Sequence, residues 1–360
     1  MSRIAALAQA LQDSGYDAYF AQTPISMGYL ADFFEDAHER FMVLAVHANG
    51  DHRLICPALS RIQAERVGIQ NIVSWKDGES PLELFSQLAE DWRLRTSVML
   101  VDDHMPAKMV LEMEDLLPKA LFKAGSSFLG QFMACKTEVE LQLMHQSGAI
   151  VDDIYDLVKQ NVKEGMTEID LQNFIQQEMQ KRDGICQFCS VCFGPGSAES
   201  HHINDDTRLT PNTLVLIDYG CTFKRYCSDI TRVFSFGKAS DEQKAVYDVV
   251  YNAHIAARDA VVPGAIPRDV DAAARAVIAE AGYDEFFTHR TGHGIGMQVH
   301  EDPYISSDNS TPLEVGNCFS IEPGIYLAGQ FGVRLENLYT ATSTGWVCFN
   351  RPISPVLEEV

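Results

Sequence analysis

No apolar run in the chain approaches the 18 or more residues of a membrane span, so a soluble protein with no membrane partner is expected. Basic residues are also scarce: 28 Lys and Arg stand against 50 Asp and Glu, a formal charge of −22. Such an excess of acid repels polyanions, which excludes nucleic acid and anionic lipid as partners. Export features are missing too. Gln9, Gln12 and Asp13 interrupt the first apolar stretch, and Ile4, Leu7, Ala8 and Leu11 have the spacing of an amphipathic helix instead. The nine cysteines are odd in number and scattered, which implies reduced thiols and a cytoplasmic location. No low-complexity segment or strong repeat is visible.

Cys186, Cys189 and Cys192 are spaced like iron–sulfur ligands, but the segment around them, ICQFCSVCFG, is β-branched and aromatic and reads as a strand. Residues three apart on a strand point to opposite faces, so these thiols cannot converge on a cluster.

At 360 residues the chain exceeds one typical domain, and two are expected, 1–130 and 131–360. The first alternates helical and strand patterns: a helix over 2–14, a strand at AYFAQ, a hairpin from FMVLAV and HRLICP, and a strand at VMLVDD. It carries no chemical motif of its own. The segment ALFKAGSSFLGQFMACK reads as the passage between domains. In the second domain, capping pairs Thr137 with Glu140, Thr167 with Asp170 and Ser240 with Gln243 open three helices, and a fourth runs from about Pro267 to Ala281. Strands are expected at QFCSVCFG, TLVLIDYG, DITRVFSFG, CFSIEPG and GVRLENLYTAT. The fold class is therefore α/β, of the α+β kind, with helices packed over a curved sheet.

The chemistry lies in five side chains of the second domain: Asp218 and Asp229 in IDYGCTFKRYCSDITR, His293 in HRTGHGIGMQVHEDP, Glu322 in FSIEPGIY and Glu336 in GVRLEN. Four carboxylates and one imidazole suit hard or borderline divalent ions, with Mn²⁺, Co²⁺ and Zn²⁺ as candidates. Close carboxylates cannot all stay ionised unless cations offset their repulsion. A hairpin with a glycine-containing turn should put Asp218 and Asp229 on one face. Gly292, Gly294 and Gly296 should let the backbone around His293 approach a bulky centre. Strand alternation should place Arg334 beside Glu336, where it can orient a ligand.

In this order, DYG…SDITR, GHGIG…VHE, SIEPGIY and GVRLEN resemble the motifs of the pita-bread metallopeptidases, the family of prolidase, aminopeptidase P and methionine aminopeptidase. The length resembles the prolidase and aminopeptidase P branch. The resemblance implies a creatinase-like N-terminal mixed-sheet domain, a C-terminal pita-bread domain of two pseudo-twofold halves, and a homodimer. It also implies two divalent ions per subunit, Mn²⁺ foremost and Co²⁺ or Zn²⁺ as alternatives. Asp218 would chelate one ion, His293 and Glu322 the other, and Asp229 and Glu336 would bridge them, with a metal-bridging water or hydroxide as nucleophile. Glu322 would shuttle the proton, and His300 and His201 would polarise the substrate carbonyl; His202 is the competing candidate for the latter position, which the motif assigns to His201.

By the same resemblance Arg290 would bind a dipeptide's C-terminal carboxylate, Phe188, Val191 and Val299 would wall a proline pocket, and Arg334 would face the substrate. The segment 31–41, with Asp36, His38 and Arg40, resembles a loop that reaches a partner subunit's site. Four residues depart from the family pattern: Lys224 and Arg225, Glu199, and Asn337. The function implied is hydrolysis of small Xaa-Pro dipeptides. The alternatives are an aminopeptidase P-like action on longer peptides, or a hydrolase or lyase of the same fold acting on a small non-peptide metabolite. A catalytically inactive binding module would have lost ligands, and all five are present.

Overall fold

A computed structural model of the chain describes residues 2–199 and 202–360, which divide into two compact units, Met1–Met133 and Ala134–Val360. In the first unit the expected hairpin forms from Val43–His47 and His52–Pro57, and Ala18–Ala21 pairs antiparallel to its first strand. Parallel strands Val98–Val101 and Ile72–Trp75 extend the sheet on either side. Leu121–Ala124 pairs with Val98–Val101 as one edge strand, opposite the edge at Ile72–Trp75, and the helix Ser126–Ala134 follows it. Both lie in the segment expected to lead into the second domain, and the boundary between the two units, after Met133, falls within it. Leu121 and Ala124 are exposed, and an exposed edge strand gives no buried alternation to read.

Asp102, buried after the Val98–Val101 strand, fixes the first turn of the helix Pro24–Ala31. Its carboxylate accepts from the Gln22 and Thr23 amides at 2.7 and 2.8 Å and from the Tyr19 and Ser26 hydroxyls at 2.6 and 2.9 Å. An anion at a helix N-terminus satisfies donors that the helix leaves open.

In the second unit the three capping pairs form as reciprocal boxes at the helices Glu138–Asn161, Glu168–Gln180 and Asp241–Asp259. The fourth helix, Pro267–Glu280, ends before Gly282, whose φ of 83° is the left-handed conformation glycine allows. The order of two helices followed by strands thus occurs twice. The first half contributes the antiparallel strands Ile185–Phe193, Thr213–Phe223 and Ile230–Phe236. The second contributes the sheet of Glu301–Ile305, Gly292–Gly294, Cys318–Ile321, Asn337–Thr342 and Gly345–Cys348. Cys189 packs into the core on one face of its strand and Cys192 into the core on the other, so the thiols do not converge.

Two local expectations fail. The turn between the aspartates is Lys224-Arg225, both at positive φ (46° and 77°), while Gly220 lies within a strand. GVRLENLYTAT is not one strand. Phe331–Arg334 pairs with Gly324–Leu327, Asn337–Thr342 pairs with Cys318–Ile321, and the chain breaks at Leu335–Glu336 between two sheets.

Candidate metal centre

Asp218 lies opposite Thr231 in the antiparallel pair of strands, and Asp229 precedes Thr231 by two, so both carboxylates share Thr231's face. The same face receives His293 from the Gly292–Gly294 strand, Glu322 after Cys318–Ile321, and Glu336 from the break between sheets. All five line one cleft of about 520 Å³, together with Phe188, His289, Arg290, Val299, His300, Tyr326 and Arg334.

One ligand atom each from Asp229, His293 and Glu336 lies within 4.8 Å of the other two. The His293 Nδ1–H donates to the Gly294 carbonyl at 3.0 Å, which leaves Nε2 to face Glu322 Oε1 at 3.2 Å and Asp229 Oδ2 at 3.5 Å. A hydrogen bond that fixes one ring nitrogen leaves the other as a ligand. Ser320 couples this pair: its hydroxyl accepts from the His293 amide at 2.9 Å and donates to Glu322 at 3.0 Å. Thr231 donates to Glu336 Oε2 at 2.8 Å and accepts from Arg334 Nε at 3.0 Å.

Three carboxylate oxygens, Asp218 Oδ1, Asp229 Oδ1 and Glu336 Oε1, are buried with no hydrogen-bond partner. A buried carboxylate without a partner is costly, and here all three belong to residues that line one cleft. The acid strengths agree. Burial, then the neighbouring carboxylates, push Asp229 and Glu336 well above the usual carboxylate range. Burial also raises Asp218, although Arg334 opposes it. For Glu322 burial acts upward, but His293, His289 and Arg334 outweigh it and hold the carboxyl low. Divalent cations would satisfy the orphaned oxygens and neutralise the repulsion, so these residues fit a metal.

The flanking residues separate into those at the cleft and those elsewhere. Arg290 is exposed, lies over the Tyr304 ring at 4.4 Å and forms no ion pair among the described residues. His300 stands edge-on to His293, with ring centroids 4.2 Å apart; burial, then the adjacent His293 and Arg290, bring it down to about 4, so its imidazole is neutral at physiological pH. Val191 does not wall the cleft. It is completely buried in the core, because it is three residues from Phe188 on the same strand and therefore faces the other way. Arg334 lines the cleft with all three guanidinium nitrogens engaged, bonding Thr231, the Tyr326 hydroxyl at 2.9 Å and Asp218 at 2.5 Å. Three of its five N–H donors are thus taken by protein groups, and one of them supports the Asp218 carboxylate.

His201 lies outside the described residues. His202 is held between Glu168 at 2.7 Å and Glu199 at 3.3 Å, away from the cleft lining. Glu168, His202 and Asp205 also cluster, but the Glu168 carboxylate is already bonded to the Phe193 and Asp205 amides.

Tyr326, Thr231 and Ser320 had no role in the sequence reading. Tyr326 lies four residues after Glu322, and its hydroxyl joins His289 Nε2 at 2.8 Å to Arg334. Its parity with Glu322 was the available signal. The glycines around His293 act differently from expectation: a Cβ on Gly292 would lie 1.9 Å from the Ser320 carbonyl, so the missing side chain permits strand packing.

Buried, clustered carboxylates that divalent cations would neutralise, in a cleft of ligand size, are the site of a metal-dependent enzyme. The chain belongs to metallopeptidase family M24, whose model matches residues 142–343, and residues 3–131 match the creatinase/prolidase N-terminal domain. It is 31% identical to an uncharacterized peptidase of Staphylococcus aureus over 96% of this chain and 98% of the relative. A solved dipeptidase from Pyrococcus horikoshii superposes with a TM-score of 0.95 at 30% identity, covering 99% of this chain and 100% of that one. A prolidase from Thermococcus sibiricus gives 0.95 at 31% identity over 99% and 98%. Among the described residues no helix is long and apolar enough to cross a membrane.

Proposed function

We propose that the protein is a dipeptidase that hydrolyses Xaa-Pro dipeptides with two divalent ions held by Asp218, Asp229, His293, Glu322 and Glu336. The observation that carries the reading is the trio of orphaned carboxylate oxygens at the base of a cleft with the unpaired cation Arg290 in its wall. When bound, a pair of Mn²⁺, Co²⁺ or Zn²⁺ ions would neutralise the carboxylates and acidify water enough for attack on a peptide carbonyl near neutral pH. Asp229 and Glu336, adjacent in the cluster, are the bridging candidates.

Glu322 is suited to move the proton. Its carboxylate is ionised, is held by Ser320, and can receive a proton at Oε and return it to the leaving amine. Neutral His300, with His201 as its counterpart, would donate to the carbonyl oxygen as charge develops there. The guanidinium of Arg290 matches a carboxylate fork and would favour a substrate whose C-terminus lies one residue beyond the scissile bond. Phe188 and Val299 would flank the proline ring. The names of the two solved structures, a dipeptidase and a prolidase, support the same reading. A homodimer in the cytoplasm completes the proposal.

The test is a turnover panel with chelator-stripped protein of verified metal content. Ala-Pro and Leu-Pro should be inert until Mn²⁺ or Co²⁺ is restored, and tripeptides should be poor substrates. Full hydrolysis by the stripped protein, or a preference for longer peptides, would refute it.

A further inference from the structure

We infer that Arg232 is a positioning residue for the metal centre: it clamps the backbone break that carries Glu336, and the centre's affinity for divalent cations depends on that clamp. The inference rests on the reading of the carboxylate cluster as a metal centre.

The break needs external support because Leu335 and Glu336 belong to neither flanking strand and have no ladder partners. The Leu335 amide donates to the Pro323 carbonyl at 3.3 Å, and the Glu336 amide to the Thr231 carbonyl at 3.2 Å. The Leu335 carbonyl accepts from His254 Nδ1 at 3.2 Å. The Glu336 carbonyl is taken by Arg232 Nη1, which also donates to the Thr231 carbonyl at 3.1 Å. Nη2 reaches Asn337 Oδ1 at 2.6 Å and the Arg351 carbonyl at 3.4 Å, and pairs with Asp152 at 3.5 Å.

Neighbours on a strand face opposite ways, so Thr231 and Arg232 grip the same residue from two sides. Thr231 holds the Glu336 carboxylate in the cleft, and Arg232 holds its backbone behind the sheet. One rigid fork thereby joins the strand that follows Asp229 to the segment that carries Glu336. A single ammonium has no such geometry. The clamp also accounts for asparagine at 337, where the family pattern has aspartate. Its amide accepts from Arg232 and at the same time donates to the Arg351 carbonyl at 3.2 Å and Cys348 Sγ at 3.4 Å, and an ionised carboxylate could not donate.

The experiment compares the unaltered chain with R232Q, R232K and N337A, each stripped by chelator, checked for folding by circular dichroism and titrated with Mn²⁺ by calorimetry. R232Q should bind Mn²⁺ roughly 10–100-fold more weakly, as for other residues that support a metal ligand. R232K should fall between R232Q and the unaltered chain. N337A, which keeps the charge pair with Asp152, should lose affinity several-fold. An unchanged dissociation constant in folded R232Q overturns the inference. If R232Q does not fold, unchanged constants in R232K and N337A do so. An unaltered chain that binds no Mn²⁺ overturns the metal-centre reading and this inference with it.

Discussion

Replacing Glu336 by glutamine is expected to make the metal-free protein more stable while weakening its response to metal. Ligand oxygens of Asp229 and Glu336 lie within 4.8 Å of each other. Two unit charges at that distance repel by about 3.5 kcal/mol at an effective dielectric of about 20. The chain can escape by taking up a proton, which for a carboxyl of ordinary pKa about 4.3 costs about 3.7 kcal/mol at pH 7. Either way the metal-free fold bears a penalty of about 3–4 kcal/mol. Glutamine removes it without adding a charge, because its carbonyl can accept from Thr231 while its amide takes the place of the unpartnered Oε1, near the Asp229 carboxylate. With some loss to imperfect fit, a gain of about 2–3 kcal/mol is expected, or roughly 5–10 °C in melting temperature for a unit of this size.

The sign of the pH dependence follows from the direction of the shifts. Asp229 and Glu336 are raised when folded, so their contribution favours the fold in acid and is lost as pH rises through the shifted values. The advantage of the Glu336→Gln variant should therefore be largest at pH 7.5 and shrink toward pH 5, because acid favours the neutral carboxyl and so relieves the repulsion in the native protein. Calorimetric melting of chelator-stripped proteins at both pH values, repeated with saturating Mn²⁺, checks this. The order of stability should invert when metal is present, since the variant has lost a ligand. A stripped variant that melts at or below the unaltered chain at pH 7.5, or an equal gain at pH 5, would refute the electrostatic account.

Two other perturbations are informative. Arg290→Ala should lower kcat/KM for Ala-Pro by roughly 10–100-fold, the loss of a charge-assisted hydrogen bond of about 1.5–3 kcal/mol, and leave tripeptide turnover nearly unchanged; equal losses on both would assign Arg290 a structural role. Asp102→Ala should cost about 3–5 kcal/mol in denaturant unfolding, because two amides and two hydroxyls lose their acceptor, whereas Asp102→Asn should cost about 1–2 kcal/mol, because the Tyr19 and Ser26 hydroxyls can turn to accept. Equal costs for the two variants would contradict that assignment of partners.

Much of the centre was legible because its chemistry is encoded in residue type. Four carboxylates and a histidine, most of them at a strand end or beside a glycine, suit a divalent cation by residue type alone. The capping pairs at Thr137, Thr167 and Ser240 marked helix starts correctly, since a capping box depends only on residues three apart. The rule that separates Cys189 from Cys192 also applies to Phe188 and Val191. Proposing those two as walls of one pocket contradicted a periodicity already in hand.

What the sequence determined by itself, then, is the inventory: which acids are present, which helices begin at a capping box, and that the acids as a set suit a divalent cation. Tertiary structure decided their partners. That Arg334 pairs with Asp218, that the chain breaks at Leu335–Glu336, and that Arg232 holds the break from behind depend on contacts between residues more than a hundred apart in the chain. Local periodicity reports only which face of an element a side chain occupies, and the identity of the group opposite is fixed when separate elements pack together.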